Sequence, residues 1–262
     1  MKKNKMLILA VSLILVTILF VSLNFNLQEQ GKVKAQDDKK PKKTKAQEQD
    51  DIATPKVSYE DLQNKNTDKT SKRGRKNEKH NNSHWVLKPE SAFDVGEAIR
   101  YVETSISDIP AQESNLILQG TVGEAQAFLS NDNSGVYSEY GISVENVLKN
   151  NTNVSLNVND FIKAERDGGI IIYPSGKAVR YRIAGLGSPA KNSKYIFFLK
   201  KMDEDTYQIL TAYEIQEDRV IPLDGARLNL SGNGKSVFDQ HMGEDVQSFT
   251  KQVQEKIKNL PQ

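Results

Sequence analysis

Apolar residues fall along the chain in three unequal stretches: a continuous run near the N-terminus, a long polar interval, and a periodic region from about residue 89 onward. The spacing in that last region reads as a helix, a series of strands and a second helix. Residues 91–104, SAFDVGEAIRYVET, put Val95, Ala98, Ile99 and Val102 on one helical face and predict a short helix. In the stretch that follows, Leu116, Leu118 and Val122 share one strand face. Beyond Gly123 the apolar positions become Ala125, Ala127 and Leu129, of opposite parity. An extra, unpaired residue produces such a switch. The spacing therefore predicts a long first strand, bent at Gly120 and Gly123 so that it can serve two sheets; two short strands with a loop between them are the alternative.

Further strands follow at short intervals. SNDNSG (130–135) has turn composition. After it, Val136, Tyr140, Ile142 and Val144 alternate with Tyr137, Glu139, Ser143 and Glu145, which predicts one dry and one wet face. DFIKAERDG (160–168) is a third strand, and residues 169–185 form a hairpin about Pro174 and Gly176. KYIFFLKK (194–201) is apolar on both faces, as a central strand under a helix should be. TYQILTAYEIQ (206–216) alternates again. Residues 245–261 set Val246, Phe249, Val253, Ile257 and Leu260 on one helical face, with lysines in the last turns. The expected fold is mainly β with flanking helices: a small, partly open OB-like barrel with a leading helix over 89–226. A loop and an amphipathic helix that packs on the barrel follow over 227–262. A twisted β-sandwich is the alternative.

The N-terminal run, MLILAVSLILVTILFVSL (6–23), holds no charge and follows three lysines. As a helix it would span about 27 Å, close to the hydrocarbon thickness. It predicts a single-pass anchor with a cytoplasmic N-terminus and an extracytoplasmic C-terminal domain. A cleaved signal peptide, which would make the domain secreted, is the rival reading.

Residues 24–88 are polar and aperiodic, which predicts a disordered tether with a reach of roughly 40–50 Å. Its densest basic run, KTSKRGRKNEKH (69–80), includes Lys72, Arg73, Arg75 and Lys76 and could contact an anionic surface such as lipid heads or envelope polymer. A plain solvated spacer is the simpler reading. No aromatic residue is interleaved in the run, which argues against nucleic acid.

Composition narrows the chemistry. The chain has no cysteine, so disulfides, thiolate nucleophiles and thiolate metal sites are excluded. The net charge of +2 implies no whole-molecule attraction to polyanions. The histidines are His80, His84 and His241, and none is spaced as a metal ligand on an expected helix. No nucleophile–base pair stands out, and GNGKS (232–236) lacks the glycine that a phosphate loop needs five residues earlier. No cofactor, metal or catalytic residue is expected. The remaining candidate is an anion- or partner-accepting patch of Arg180, Arg182, Lys163 and Arg166, with Tyr137 as a stacking surface. Cross-strand pairing of these arginines with Glu139, Glu145 or Glu165 is the simpler alternative.

The segments ESNLILQGTVGEAQAFLSNDNSGVYSEYGISVENVLKN, PSGKAVRYRIAGLGSP and KYIFFLKK resemble a group of uncharacterised bacterial extracytoplasmic, membrane-anchored proteins over residues 113–224. More distantly the chain is similar to netrin-like OB domains, which include the tissue inhibitors of metalloproteinases. The first resemblance implies an extracytoplasmic, membrane-anchored protein and carries no activity. The second implies fold alone, because those inhibitors act through an N-terminal cysteine that this chain lacks. An anchor, a tether and a β-domain without a catalytic constellation read instead as a non-enzymatic binding or scaffolding module, with an envelope protein or polymer as partner. An envelope protease inhibitor or hydrolase accessory protein is one functional alternative; a nucleic-acid-binding OB domain is another.

Overall fold

The computed structural model describes residues 54–65, 70–87, 95–102, 106–204, 206–225 and 236–261, all within one compact unit, Lys43–Gln262. The expected anchor at 6–23 lies outside the described residues. Among the described residues no helix is long and apolar enough to cross a membrane.

The chain is mainly β with few helices, as expected. In order, its elements are β1 (Lys56–Ser58), α1 (Tyr59–Lys65), α2 (Lys72–Glu78), β2 (Val86–Leu87), β3 (Val95–Arg100), β4 (Leu116–Leu129), β5 (Val136–Asn150) and β6 (Phe161–Asp167). There follow β7 (Gly169–Ile172), β8 (Ala178–Ile183), β9 (Lys194–Lys201), β10 (Thr206–Gln216), β11 (Arg219–Pro222), a 3-10 turn (Val237–His241), β12 (Glu244–Asp245) and α3 (Val246–Lys258).

Two sheets organise these strands. In the larger one β5 pairs antiparallel with β4 and β6, β9 pairs antiparallel with β4 and β10, and β6 and β10 run parallel. Each of these five strands thus has hydrogen-bonded neighbours on both sides, and β11 and β12 continue from the C-terminal half of β10. The smaller sheet has the order β1-β7-β8-β3-β2. The chain passes from one sheet to the other at Gly168, whose φ of +110° suits glycine; a Cβ there would lie 2.7 Å from the Tyr181 carbonyl oxygen.

Strand β4 is long and irregular, as the parity switch predicts. Its register against β5 shifts between Ile117 and Leu118, between Gln119 and Gly120, and between Val122 and Ala125. Leu116, Leu118 and Val122 lie in one core cluster, with Tyr140, Ile142, Tyr195, Phe197 and Leu199. Ala127, Phe128 and Leu129 lie in another, with Val57, Leu62 and Ile171. The strand does not serve two sheets as expected, since it pairs only with β5 and β9 of the larger one. Its irregular course nevertheless feeds separate cores, and Ile117 enters a further cluster with Ile196 and Phe198. Gly120 permits the close approach of β5, since a Cβ there would sit 2.6 Å from the Ser143 carbonyl oxygen. Strand β9 is covered on both faces: Tyr195, Phe197 and Leu199 face one core, whereas Ile196 and Phe198 join a third cluster with Phe249 and Val253 of α3.

Three further expectations are corrected. Residues 95–100 form a strand, not part of a helix; β3 pairs parallel with β8 and antiparallel with β2. Consecutive Ala98 and Ile99 are both buried, which a strand covered on both faces allows, and the sheet partners override a helical spacing already weakened by Gly96. The tether predicted over 24–88 is structured at 54–65 and 70–87. There β1 pairs with Ile170–Ile172, Leu62 is buried, and α2 lies against β5 and β6. Most of these contacts are polar, so an apolar count could not register them. Finally, the wet face of β5 is dry in its first half: Tyr137 and Glu139 are buried beneath α2, whereas Ser143 and Glu145 stay partly exposed.

Candidate binding face

The sequence KRGRKNE contains no apolar residue, yet it forms a helix and packs. Ser71 caps α2, its Oγ accepting from the Gly74 N–H at 2.9 Å. Helical spacing then brings Arg73, Gly74, Lys76 and Asn77 to one side, where all but Arg73 are buried, while Lys72, Arg75 and Glu78 face water. That side rests on the outer face of β5 and β6, next to the 130–135 turn and the turn between β9 and β10.

The face has an aromatic floor and carboxylate walls. Phe128 and Tyr137, cross-strand partners, stack with ring centroids 5.5 Å apart. The Arg73 guanidinium lies over Phe128 at 3.8 Å, and the His80 ring lies parallel to Tyr137 at 4.0 Å. Glu139 of β5 and Glu165 of β6 stand directly opposite each other in the register, an arrangement that is unfavourable for two like charges. Lys76 resolves it. Its Nζ is 2.5 Å from Glu139 Oε1 and 3.1 Å from Glu165 Oε2, and donates to Thr206 Oγ1 at 3.2 Å. Arg73 forks onto the two oxygens of Glu139 at 2.7 and 2.9 Å and also donates to the Tyr137 hydroxyl, which donates in turn to Asn77 Oδ1.

The rim is polar as well. Lys79 pairs with Asp203 at 2.8 Å, Asn131 Nδ2 donates to the Gly74 carbonyl, and the Asn82 and Ser83 N–H groups donate to Asp132 and Ser134. Trp85 closes the segment, its Nε1 donating to the Ser134 carbonyl at 2.9 Å. His80 Nδ1 is 3.0 Å from Asp167, which Arg100 also contacts.

The charges hold one another. Burial disfavours the ionised Glu139 and Asp167 carboxylates, but Arg73 and Lys76 in the first case, and His80 and Arg100 in the second, outweigh it and hold both below the usual carboxylate range. Burial likewise disfavours a charged His80, yet its bond to Asp167 and the nearby charge of Glu165 outweigh it and raise the imidazole above its ordinary value. A raised folded pKa contributes stability that is complete below about 6.5, the unfolded value, and is lost as pH rises through the folded one. The depressed carboxylates fail in the opposite direction, as pH falls. Fluorescence of Trp85, the sole tryptophan, should therefore shift red as pH is raised from 6.5 to 9. The shift should be absent in His80→Gln; an identical shift in that variant would rule out His80 as its source.

The expected patch is dispersed. Tyr137 belongs to the floor just described. Lys163 lies exposed on β6. Arg166, also on β6, is buried and donates through Nη2 to both oxygens of Asp224 at 2.8 and 2.7 Å. Arg180 is buried on β8, and Arg182 reaches Glu97 of β3 at 3.3 Å. The reason is topological: β7 and β8 carry Arg180 and Arg182 into the second sheet. Of the basic run, Arg73 and Lys76 enter the face, Arg75 bonds the Thr70 carbonyl and Lys72 is exposed. Glu139 and Glu165 do pair with cations, though with those of α2. Sequence reasoning missed Asp167 and His80 as members, because the register that opposes Glu139 to Glu165 and calls for a cation from elsewhere exists only once β5 and β6 pair.

A second polar cluster sits beside α3. His241 Nε2 is 2.9 Å from Asp108 and its Nδ1 2.9 Å from Glu244, while Lys256 reaches Asp108 at 3.2 Å. Both ring nitrogens are engaged, so the cluster ties α3 to the sheet and presents no free base. Among the described residues no group of three histidine, aspartate or glutamate side chains is placed to hold a metal.

Comparison of the chain with protein-family models and with curated proteins found no match.

Proposed function

We propose that the protein is a non-catalytic, membrane-tethered extracytoplasmic binding or scaffolding module built on an OB-like barrel. The strand connections support the barrel: β4-β5-β6-β10-β9 and back to β4, with β6 and β10 parallel. In that class of fold, ligands lie across the second and third strands and the neighbouring loops, here β5, β6 and the turns at 130–135 and after β9. The uncharged N-terminal run supports the tether. One observation carries the reading: this face already holds a peptide segment, residues 70–85, through side-chain contacts. Its carboxylates, Glu139, Glu165, Asp167 and Asp203, favour a polypeptide partner and oppose a nucleic acid, whose phosphates they would repel.

Lys163 is exposed on the same face as Glu165, two residues away on β6, and is the natural place for a photo-crosslinking residue. In living cells it should form adducts with an envelope polypeptide. Adducts confined to cytoplasmic proteins or to nucleic acid would overturn both the topology and the partner class.

A further inference from the structure

What α2 uses to hold its place differs from what flanks it. Leu62, before it, is buried in an apolar cluster, and Trp85, after it, packs edge-on to Tyr181. Helix α2 itself contributes no apolar side chain; ion pairs and hydrogen bonds attach it. A buried ion pair can be exchanged for an equivalent one supplied by another basic segment, which keeps each carboxylate matched to a cation, whereas an apolar anchor offers no such exchange.

The receptor, in contrast, belongs to the barrel. Three oxygens surround Lys76 Nζ, one each from β5, β6 and β10: Thr206 Oγ1 accepts a hydrogen bond, and Glu139 and Glu165 pair with the ammonium as ions. Glu139 offers a two-oxygen edge to a guanidinium, and Phe128 and Tyr137 offer flat rings beneath cationic groups. All of these groups sit on β4, β5, β6 and β10, whose strand pairings do not include α2. The Glu139–Glu165 pairing needs a cation between the strands, whichever chain supplies it.

We propose that this face is a docking site for a basic helical segment of a partner polypeptide, presenting arginine and lysine one turn apart, and that α2 occupies it as an internal surrogate that the partner displaces. The inference rests on the binding-module reading and adds the chemistry of the ligand.

A charge-neutral substitution can open the site. Gly135 lies beneath the segment, where a Cβ would come within 2.0 Å of the His80 carbonyl oxygen. Gly135→Ala should therefore lift the segment while leaving every carboxylate in place. The probe is a fluorescent synthetic peptide, KTSKRGRKNEKHNN, added to the full chain in neutral detergent and followed by anisotropy. Gly135→Ala should bind it at least ~10-fold more tightly than the unaltered chain, and Glu139→Gln in that background should reverse most of the gain. Raising the salt should weaken binding. Arg73→Gln with Lys76→Gln provides a second open form should Gly135→Ala not fold. In the unaltered chain, excess peptide should speed hydrogen exchange at residues 74–79.

A folded open variant that binds the peptide no better than the unaltered chain would overturn the inference. So would equal binding of a peptide with glutamate in place of its central arginine and lysine, or exchange at 74–79 that is unmoved by saturating peptide. In each of those cases the module reading stands on its crosslinking test. Tight uptake of oligothymidine by the open variant would bring down both.

Discussion

Asp224→Ala is expected to cost the fold about 3–5 kcal/mol, the usual penalty for removing one partner of a buried ion pair. Asp224 is 1% exposed and Arg166 is 4% exposed. The carboxylate accepts from Arg166 Nη2 with both oxygens and from the Gly187 N–H at 2.9 Å, and the next residue, Gly225, donates to the Gly185 carbonyl. One side chain thus fastens β6, the 184–187 loop and the chain leaving β11. Truncation strands a guanidinium in a site water does not reach, so the loss is the desolvation of Arg166 and not only a missing hydrogen bond. Urea unfolding should show a lowered midpoint with an unchanged slope. Asp224→Asn, which can still accept from Gly187 but carries no charge, should fall between. Arg166→Met combined with Asp224→Leu should recover most of the stability, because replacing both charges removes the stranded one. A cost below about 1 kcal/mol for Asp224→Ala would mean that the pair behaves as an exposed one.

That pair also marks what a linear reading can reach. Apolar parity located β4, β5, β6, β9 and β10, and the switch at Gly120–Gly123 located two of the three register shifts, because a strand's own residues record which of its faces are dry. KYIFFLKK announced cover on both faces for the same reason. Polar residues record no such thing. Nothing near Arg166 indicates that its counter-charge stands beyond β11, and nothing in KRGRKNE indicates that β5 and β6 oppose Glu139 to Glu165 and so require Lys76. Such partners are set by register and topology, which bring distant residues together only once the sheets exist. Residues 91–104 failed differently: Val95, Ala98, Ile99 and Val102 fit a helical period, but the neighbouring β8 and β2 supplied hydrogen bonds that a helix would forgo. The candidate site was therefore legible as two halves, a basic run and a strand carrying Tyr137 and Glu139, and illegible as one place.

Where periodicity did suffice, it leads to the second large effect. Phe249→Ala should cost about 3–5 kcal/mol, the range for emptying an aromatic site in a core. Phe249 is fully buried, 4.4 Å from the Tyr213 ring and 5.0 Å from His241, within the cluster that includes Ile196 and Phe198. The helix itself should survive, since Asp245 still caps it through the Gln247 and Ser248 N–H groups. What weakens is its docking onto the outer face of β9, whose inner face, Tyr195, Phe197 and Leu199, belongs to a separate core. Local undocking of α3 should therefore precede global unfolding: trypsin should cut at Lys256 and Lys258 at urea concentrations where the strand signal is still intact. Phe249→Leu, which keeps most of the volume, should delay that cleavage. Simultaneous loss of both signals in Phe249→Ala would show instead that the helix and the strands unfold as one cooperative unit, with α3 as much a part of the core as the strand it covers.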